Sequence, residues 1–327
     1  MTTRIPHHLR VWAPTGAAAA TLAAVVWRLG AGPFRAGVSA VDARTLAAAA
    51  GIGLVTTVCC AWRWRIVARG LGVDLALPTA VAAYYRSLFL NVTLPGGVVG
   101  DVHRGLRHGR DARNVGGALR AVVWERTGGQ IVQLVLTVAV LVVLPSPVRP
   151  SMPLVAGALV VVGAAVVLAG RAWSGEGRSP LQRARRAVGG DLRDILRMRG
   201  ALAAIALAST VVVCGHAATF LLAARAAGST APVSRLLPLA FLAMLAMVLP
   251  SIAGWGPREG ATGWAFGAAG LGAGQGVATA VVYGVIVLAA SLPGAVVLVA
   301  AALPSARGPL RPEPRPIAVC SERVPHA

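Results

Sequence analysis

The sequence predicts an all-α polytopic membrane protein of about six full spans and two re-entrant or broken helices, arranged as two inverted repeats. Three observations lead there. Hydrophobic residues make up 56% of the 327 and charged residues only 13%, against about 25% charged in soluble domains, and the mean hydropathy is +0.71. The apolar residues gather into runs near 12–30, 45–61, 121–144, 153–170, 201–224 and 276–303, each close to the roughly 20 residues a helix needs to cross a bilayer. Two further apolar segments, 77–99 and 236–256, are interrupted in the same way: by Leu94-Pro95-Gly96-Gly97-Val98-Val99-Gly100-Asp101, and by Leu249-Pro250-Ser251-Ile252-Ala253-Gly254-Trp255-Gly256-Pro257-Arg258-Glu259.

A backbone that leaves the helix at membrane depth exposes peptide groups with no water to satisfy them, so such breaks persist only where protein or a wet cavity covers them. Pro95 in the first segment, and Pro238 and Pro250 in the second, are expected to end helical runs because proline has no N–H and clashes with the preceding turn. Paired interruptions at corresponding positions of two halves point to a site between structural repeats.

Taken in order, residues 1–11 form an N-terminal segment, and 12–303 form one membrane domain with halves 12–144 and 153–303. Arg4 and Arg10 before the first run resemble the start of a signal peptide, but no clean cleavage site follows. The stretch 259–272 is Gly- and Ala-rich and reads as the returning arm of the second break. In 171–200, Leu181, Ala184, Val188, Leu192 and Ile195 recur at helical spacing beside Arg183, Arg185, Arg186 and Arg193. That pattern fits a helix lying on anionic lipid as well as it fits an ordinary basic loop. The tail 304–327 is rich in Pro and Arg and is expected to be disordered.

Orientation follows from arginine, which is concentrated in short cytoplasmic loops. With the N-terminus inside, 22 arginines face the cytoplasm and seven face out, leaving Arg86 and Arg126 within apolar segments. Both termini are then cytoplasmic, in a cytoplasmic membrane. Three crossings per half place the second half in the opposite orientation to the first, so the two breaks would enter from opposite sides and meet near the midplane.

The net charge of +20 is carried by 31 basic residues, all Arg, lying between apolar runs rather than along a soluble face. A lipid surface is therefore the expected anionic partner, and nucleic acid is not expected. Cys59, Cys60, Cys214 and Cys320 lack metal-ligand or disulfide spacing, and His7, His8, His103, His108, His216 and His326 are scattered, with His216 read as a packing residue. No metal, no cofactor and, without a G-x-x-x-x-G-K-[ST] loop, no nucleotide is expected.

Charges inside the apolar envelope cost about 2.5–3.5 kcal/mol each on insertion scales and need a partner or a role. Glu125-Arg126 opens the run 121–144, with Gly128-Gly129-Gln130 beside it; it fits either a snorkelling pair or a site where a headgroup approaches. Arg258-Glu259 fits either a helix-start charge pair or a ligand site. Asp101 fits a helix cap or a functional group, with Arg104 next to it. Arg86 and Asn91 sit before Pro95, where Arg86 could hold a phosphate or snorkel. Trp62-Arg63-Trp64-Arg65 reads most simply as an aromatic and cationic interface anchor.

These residues resemble a known family. The run Trp64 to Gly70, Tyr85, Phe89, Asn91, Leu-Pro-Gly-Gly-x-x-Gly-Asp with Arg104, Glu125-Arg126-x-Gly, and Leu-Pro-x-x-x-Gly-Trp-Gly-x-Arg-Glu-Gly are similar, in order, to the lysylphosphatidylglycerol synthase transmembrane family. Asn91, Pro95, Gly97, Asp101, Arg104, Glu125, Arg126, Pro250, Gly254, Trp255, Gly256, Arg258 and Glu259 fall on its motifs, whereas Pro257 stands where an aliphatic residue is expected. The resemblance implies flippase-like activity on phospholipids or polyprenyl-linked lipids. About 24 residues follow the last run, so the expectation is a stand-alone membrane region without the soluble aminoacyl-transfer domain.

On this reading the chain is not an enzyme. Arg86, Asn91, Asp101, Arg104, Glu125, Arg126, Trp255, Arg258 and Glu259 line the lipid path, while Pro95, Gly96, Gly97, Gly100, Pro250, Gly254 and Gly256 shape the breaks. A membrane or cytoplasmic enzyme partner is left open. The alternatives are a membrane transferase acting on a lipid-linked substrate, with Asp101 or Glu125 as base, and an accessory membrane subunit whose polar pairs only hold helices together.

Overall fold

The computed structural model describes residues 41–172, 180–198, 200–249 and 255–302, with isolated positions before residue 41. The expected span at 12–30, Pro250, Gly254 and the tail therefore lie outside the described residues, apart from those isolated positions. All described elements are helical, except for turns and a lone bridge position at Trp255.

Helix α1 (Ala43–Gly70) starts where the Asp42 carboxylate accepts the Thr45 N–H at 2.8 Å. Helix α2 (Leu77–Thr93) has Pro78 in its first turn, where a missing N–H costs nothing. It stops at Leu94, which is extended (φ −102°, ψ 149°), the conformation a following proline imposes. Gly96 and Gly97 then take φ of +98° and +67°, open to glycine without strain, and helix α3 (Val99–Asp111) begins. The first break is thus built from the residues that announced it.

Helix α4 (Val115–Val143) is capped by Asn114, whose side chain accepts the Gly117 N–H at 2.9 Å. A short 3₁₀ turn at Arg149–Ser151 leads into α5 (Met152–Ala172). Helix α6 (Pro180–Arg197) is amphipathic and is tied to α4 by Asp191, which accepts from Arg120 Nε at 2.8 Å and Trp124 Nε1 at 3.1 Å. The basic segment is therefore a helix docked on the bundle.

The second half continues with α7 (Ala201–Ala226), α8 (Val233–Ala246), α9 (Pro257–Ala268), α10 (Ala273–Ser291) and α11 (Pro293–Ala302). Pro238 does not break its segment as expected: it sits buried inside α8. At the sixth helical residue it forfeits only its own N–H bond, and packing around Leu236, Leu239 and Ala240 holds the helix across the gap. The expected run 276–303 is likewise divided, at Leu292-Pro293, into α10 and α11.

Among the described residues, four stretches are long and apolar enough to cross a membrane: Ala43–Gly70, Val115–Val143, Ala201–Ala226 and Ala273–Ala301. Val123, Val135, Leu154, Val160 and Val296 point large apolar side chains outward. In water such a surface would aggregate; against acyl chains it is the expected exterior.

Helix α1 runs against α7 and α10, with Thr56 of α1 so near Gly215 that a Cβ there would lie 2.3 Å from its Cγ2. The packing repeats when α1–α4 are exchanged with α7–α10. Thus α1 touches α2, α4 and α10 as α7 touches α8, α10 and α4; α3 touches α2 and α4 as α9 touches α8 and α10; and α4 touches α8 as α10 touches α2. One apolar core surrounds Trp64 in the first half and another surrounds Phe220, Phe266 and Tyr283 in the second.

Candidate functional site

Four helices of the first half converge on one buried ion network. Glu125 of α4 is fully buried and accepts from Arg63 of α1 (Nε at 3.0 Å, and Nη2), from Arg104 Nη2 of α3 at 2.6 Å and from the Tyr84 hydroxyl of α2 at 3.3 Å. Asp101 of α3 accepts from Ser87 Oγ at 3.2 Å, Asn91 Nδ2 at 3.1 Å, Arg104 Nε at 3.0 Å and Arg126 Nη2. Arg104 is also held between the rings of Trp64 (4.6 Å) and Tyr84 (4.4 Å).

The break makes this assembly possible. Asn91, in the last turn of α2, turns its Oδ1 to accept the Gly100 N–H at 2.8 Å, supplying a bond to the first turn of α3 from across the gap. Asp101 is thereby released from capping. The N-terminus of α3 has no side-chain cap of its own, and the Asp101 carboxylate serves the arginines instead. Gly100 lets the two helices meet, since a Cβ there would lie 2.0 Å from the Ser87 carbonyl oxygen.

A second centre lies in α9 and α10. Glu259 accepts the Gly256 N–H at 2.6 Å, which is helix-start capping, and also pairs with Arg258 through Nε at 2.9 Å and Nη2. Arg258 lies over Trp255 at 5.2 Å and Tyr283 at 5.4 Å. Gly284 leaves room for it, as a Cβ there would lie 2.4 Å from Arg258 Nη2.

Between the centres are two polar cavities, of about 120 and 160 Å³, which share Arg126, Gln130, Gln133 and His216. Arg63 and Ser209 line the first, and Met244 and Met247 the second. His216 Nδ1 meets the Tyr283 hydroxyl at 3.1 Å. The polar groups therefore run from the first network, past the cavities, to the ring beneath Arg258. The network holds three guanidiniums, Arg63, Arg104 and Arg126, against two carboxylates, and two of them, Arg63 and Arg126, line the first cavity while neither carboxylate does.

Of the expected residues, Asn91, Asp101, Arg104, Glu125 and Arg126 are brought together, and Trp255, Arg258 and Glu259 form the second group. Arg86 belongs to neither; it is buried and lines a separate cavity. Glu125 is not a snorkelling residue, having no exposed surface. The interface-anchor reading of Trp62-Arg63-Trp64-Arg65 fails for its middle pair: Arg63 is 5% and Trp64 0% exposed, because that face of α1 turns toward α2 and α4. Arg63 reaches Glu125 and donates through Nη1 to Ser209 Oγ of α7 at 2.8 Å. Gly129 was the available signal, since a Cβ there would lie 2.8 Å from Arg63 Nη1. Gln133, Ser209 and Tyr84 gave none, being ordinary residues in apolar helices.

A chain whose described elements are helices, with an apolar exterior, several membrane-length helices and an ion network in its interior, is a multi-pass membrane protein. It belongs to the family described as the lysylphosphatidylglycerol synthase TM region, whose sequence profile matches residues 11–294. That family relates to membrane lipids. No curated protein and no solved structure matches the chain.

Proposed function

We propose that the chain translocates a phosphate-bearing lipid, a phospholipid or a polyprenyl-linked one, across the cytoplasmic membrane by alternating access between two inverted halves, with both termini cytoplasmic and no catalytic step. The observation that carries this reading is the cationic excess beside a polar cavity inside an apolar bundle. Uncompensated charge at such depth is costly and marks substrate pathways, and a guanidinium excess suits a phosphodiester. The exchange of contacts between α1–α4 and α7–α10 supports the repeat, and the excess of arginine on one side supports the orientation.

Arg126 is the residue to test. Its side chain is 41% exposed and borders both cavities, and Asp101 keeps three other donors without it. Purified protein in liposomes carrying fluorescent headgroup lipids is expected to let dithionite bleach beyond the outer-leaflet fraction. Arg126→Gln is expected to fold and to slow that phase about tenfold or more. Wild type that bleaches no more than empty vesicles, across anionic and polyprenyl lipids, would reject translocation. A variant that folds and transports normally would remove Arg126 from the path.

A further inference from the structure

A third cavity, of about 470 Å³, lies between α1, α2, α3 and α11, on the far side of Arg104 from the cavities that Arg126 borders. Its volume is within the range of small-molecule sites, about 300–1,000 Å³. Its polar lining is unusual. Among the described residues eight buried side-chain polar atoms lack a hydrogen-bond partner, and four of them belong to residues of this cavity: Trp64 Nε1, Arg86 Nε, Arg104 Nη1 and His108 Nε2. Buried polar groups in folded proteins almost always have partners. Arg86 is 6% and Arg104 1% exposed, so neither guanidinium is simply hydrated at a surface. Arg107 and Asp111 complete the charged lining and are themselves exposed, which places them at the mouth.

Trp, Arg and neutral His can all donate N–H, and arginine and indole nitrogens can only donate. These donors outnumber the acceptors of the lining, which are the exposed Asp111 carboxylate and the Thr79 hydroxyl, and so call for an acceptor-rich ligand. Arginine pairs bind phosphate oxygens through parallel charge-assisted bonds. The remaining wall, which includes Leu75, Ala83 and Val297, is apolar except for Thr79, and α11 next to it presents Val296 and Val299 outward.

We propose that this cavity is a binding site for a phosphate group, held by Arg86 and Arg107 with the free Nη1 of Arg104, its apolar wall accepting the start of an attached chain. It rests on the reading of the chain as a lipid-handling protein and adds a loading site at the arginine-rich end, separate from the cavities that Arg126 borders. Asp111 at the mouth opposes the anion.

The test reads binding, not transport. The thermal midpoint of the full chain in detergent is followed against short-chain phosphatidic acid, inorganic phosphate and a short-chain diacylglycerol, since a ligand that binds only the folded state raises it. Short-chain phosphatidic acid is expected to stabilise the protein and diacylglycerol not to. Arg86→Gln and Arg107→Gln are each expected to weaken phosphatidic acid binding about tenfold or more, Asp111→Asn to tighten it, and Arg149→Gln, at an exposed arginine that lines none of these cavities, to leave it unchanged. Because Arg107 is exposed, its variant reports even if Arg86→Gln does not fold.

Stabilisation by inorganic phosphate as strong as that by the lipid would assign the site to a free phosphate; stabilisation by the lipid alone assigns it to a headgroup. No stabilisation by either phosphate compound, or binding that survives both arginine substitutions, would overturn the site. Binding lost with liposome transport intact rejects the loading site and leaves translocation standing. Binding retained in a protein that does not transport does the reverse.

Discussion

At the scale of single residues, Glu125 holds the first half together. It has no exposed surface and satisfies two arginines from two other helices. Glu125→Gln keeps the shape but leaves Arg63 without a carboxylate partner, donating only to the neutral Ser209 Oγ, and leaves Arg104 with Asp101 as its one carboxylate. Removing one member of a buried ion group typically costs about 3–5 kcal/mol, so the variant is expected to lose most of its thermal stability in detergent, whereas Arg126→Gln, at a half-exposed site, is expected to cost about 1 kcal/mol or less. Equal midpoints for Glu125→Gln and wild type would show that the carboxylate is not needed for the fold. Glu125 and Arg126 were legible in the sequence because a charge in an apolar run must have a reason, and Asp101 and Arg104 because they close the proline-glycine break. Arg63 was hidden because Trp-Arg-Trp-Arg at a helix end has the composition of a lipid-interface anchor, and only the rotation of α1 turns its middle pair inward. Gln133 and His216 were missed because one neutral polar residue in a long apolar helix costs too little to stand out.

At the scale of elements, the first break was readable in detail and the second only in outline. Leu-Pro followed by two glycines determines where α2 stops and gives the chain the positive φ it needs, all within a few residues. Pro238 and Pro293 look the same in sequence, yet one is carried inside a helix and the other divides one; the outcome depends on neighbours that are distant in the chain. Glycines without positive φ record such neighbours. Gly100 faces the Ser87 carbonyl oxygen and Gly294 the Tyr85 carbonyl oxygen, with an added Cβ at 2.0 and 2.1 Å. Backbone cannot yield as a side-chain tip can, so Gly100→Ala is expected to push α3 off α2 and cost at least about 1–3 kcal/mol. Gly284→Ala meets the movable end of Arg258 and the edge of the Trp255 ring at 3.2 Å, side chains rather than backbone, and is expected to fold. Thermal midpoints of the two variants in the same detergent check the order; a Gly100→Ala protein as stable as Gly284→Ala would mean that α2 and α3 are not held at this contact.

At the scale of the whole molecule, the polar cavities lie where the halves face each other, and α4 meets α8 there as α10 meets α2 on the other side. If access alternates, one of these contacts must part while the other holds. Gln133 of α4 marks the first, donating through Nε2 to the Met244 carbonyl of α8 at 3.3 Å, and both residues line the second cavity. In a background without the four native cysteines, a chain carrying Gln133→Cys and Met244→Cys is therefore expected to translocate lipid when reduced, to stop when the two positions are bridged by a short bis-thiol reagent or a disulfide, and to recover when a disulfide is reduced. Each single variant under the same treatment should keep its rate, which separates a locked contact from modification of the cavity. Transport that continues through a complete bridge would show that α4 and α8 move as one body. The lipid would then have to pass outside the cavities between the halves, along a face of the bundle.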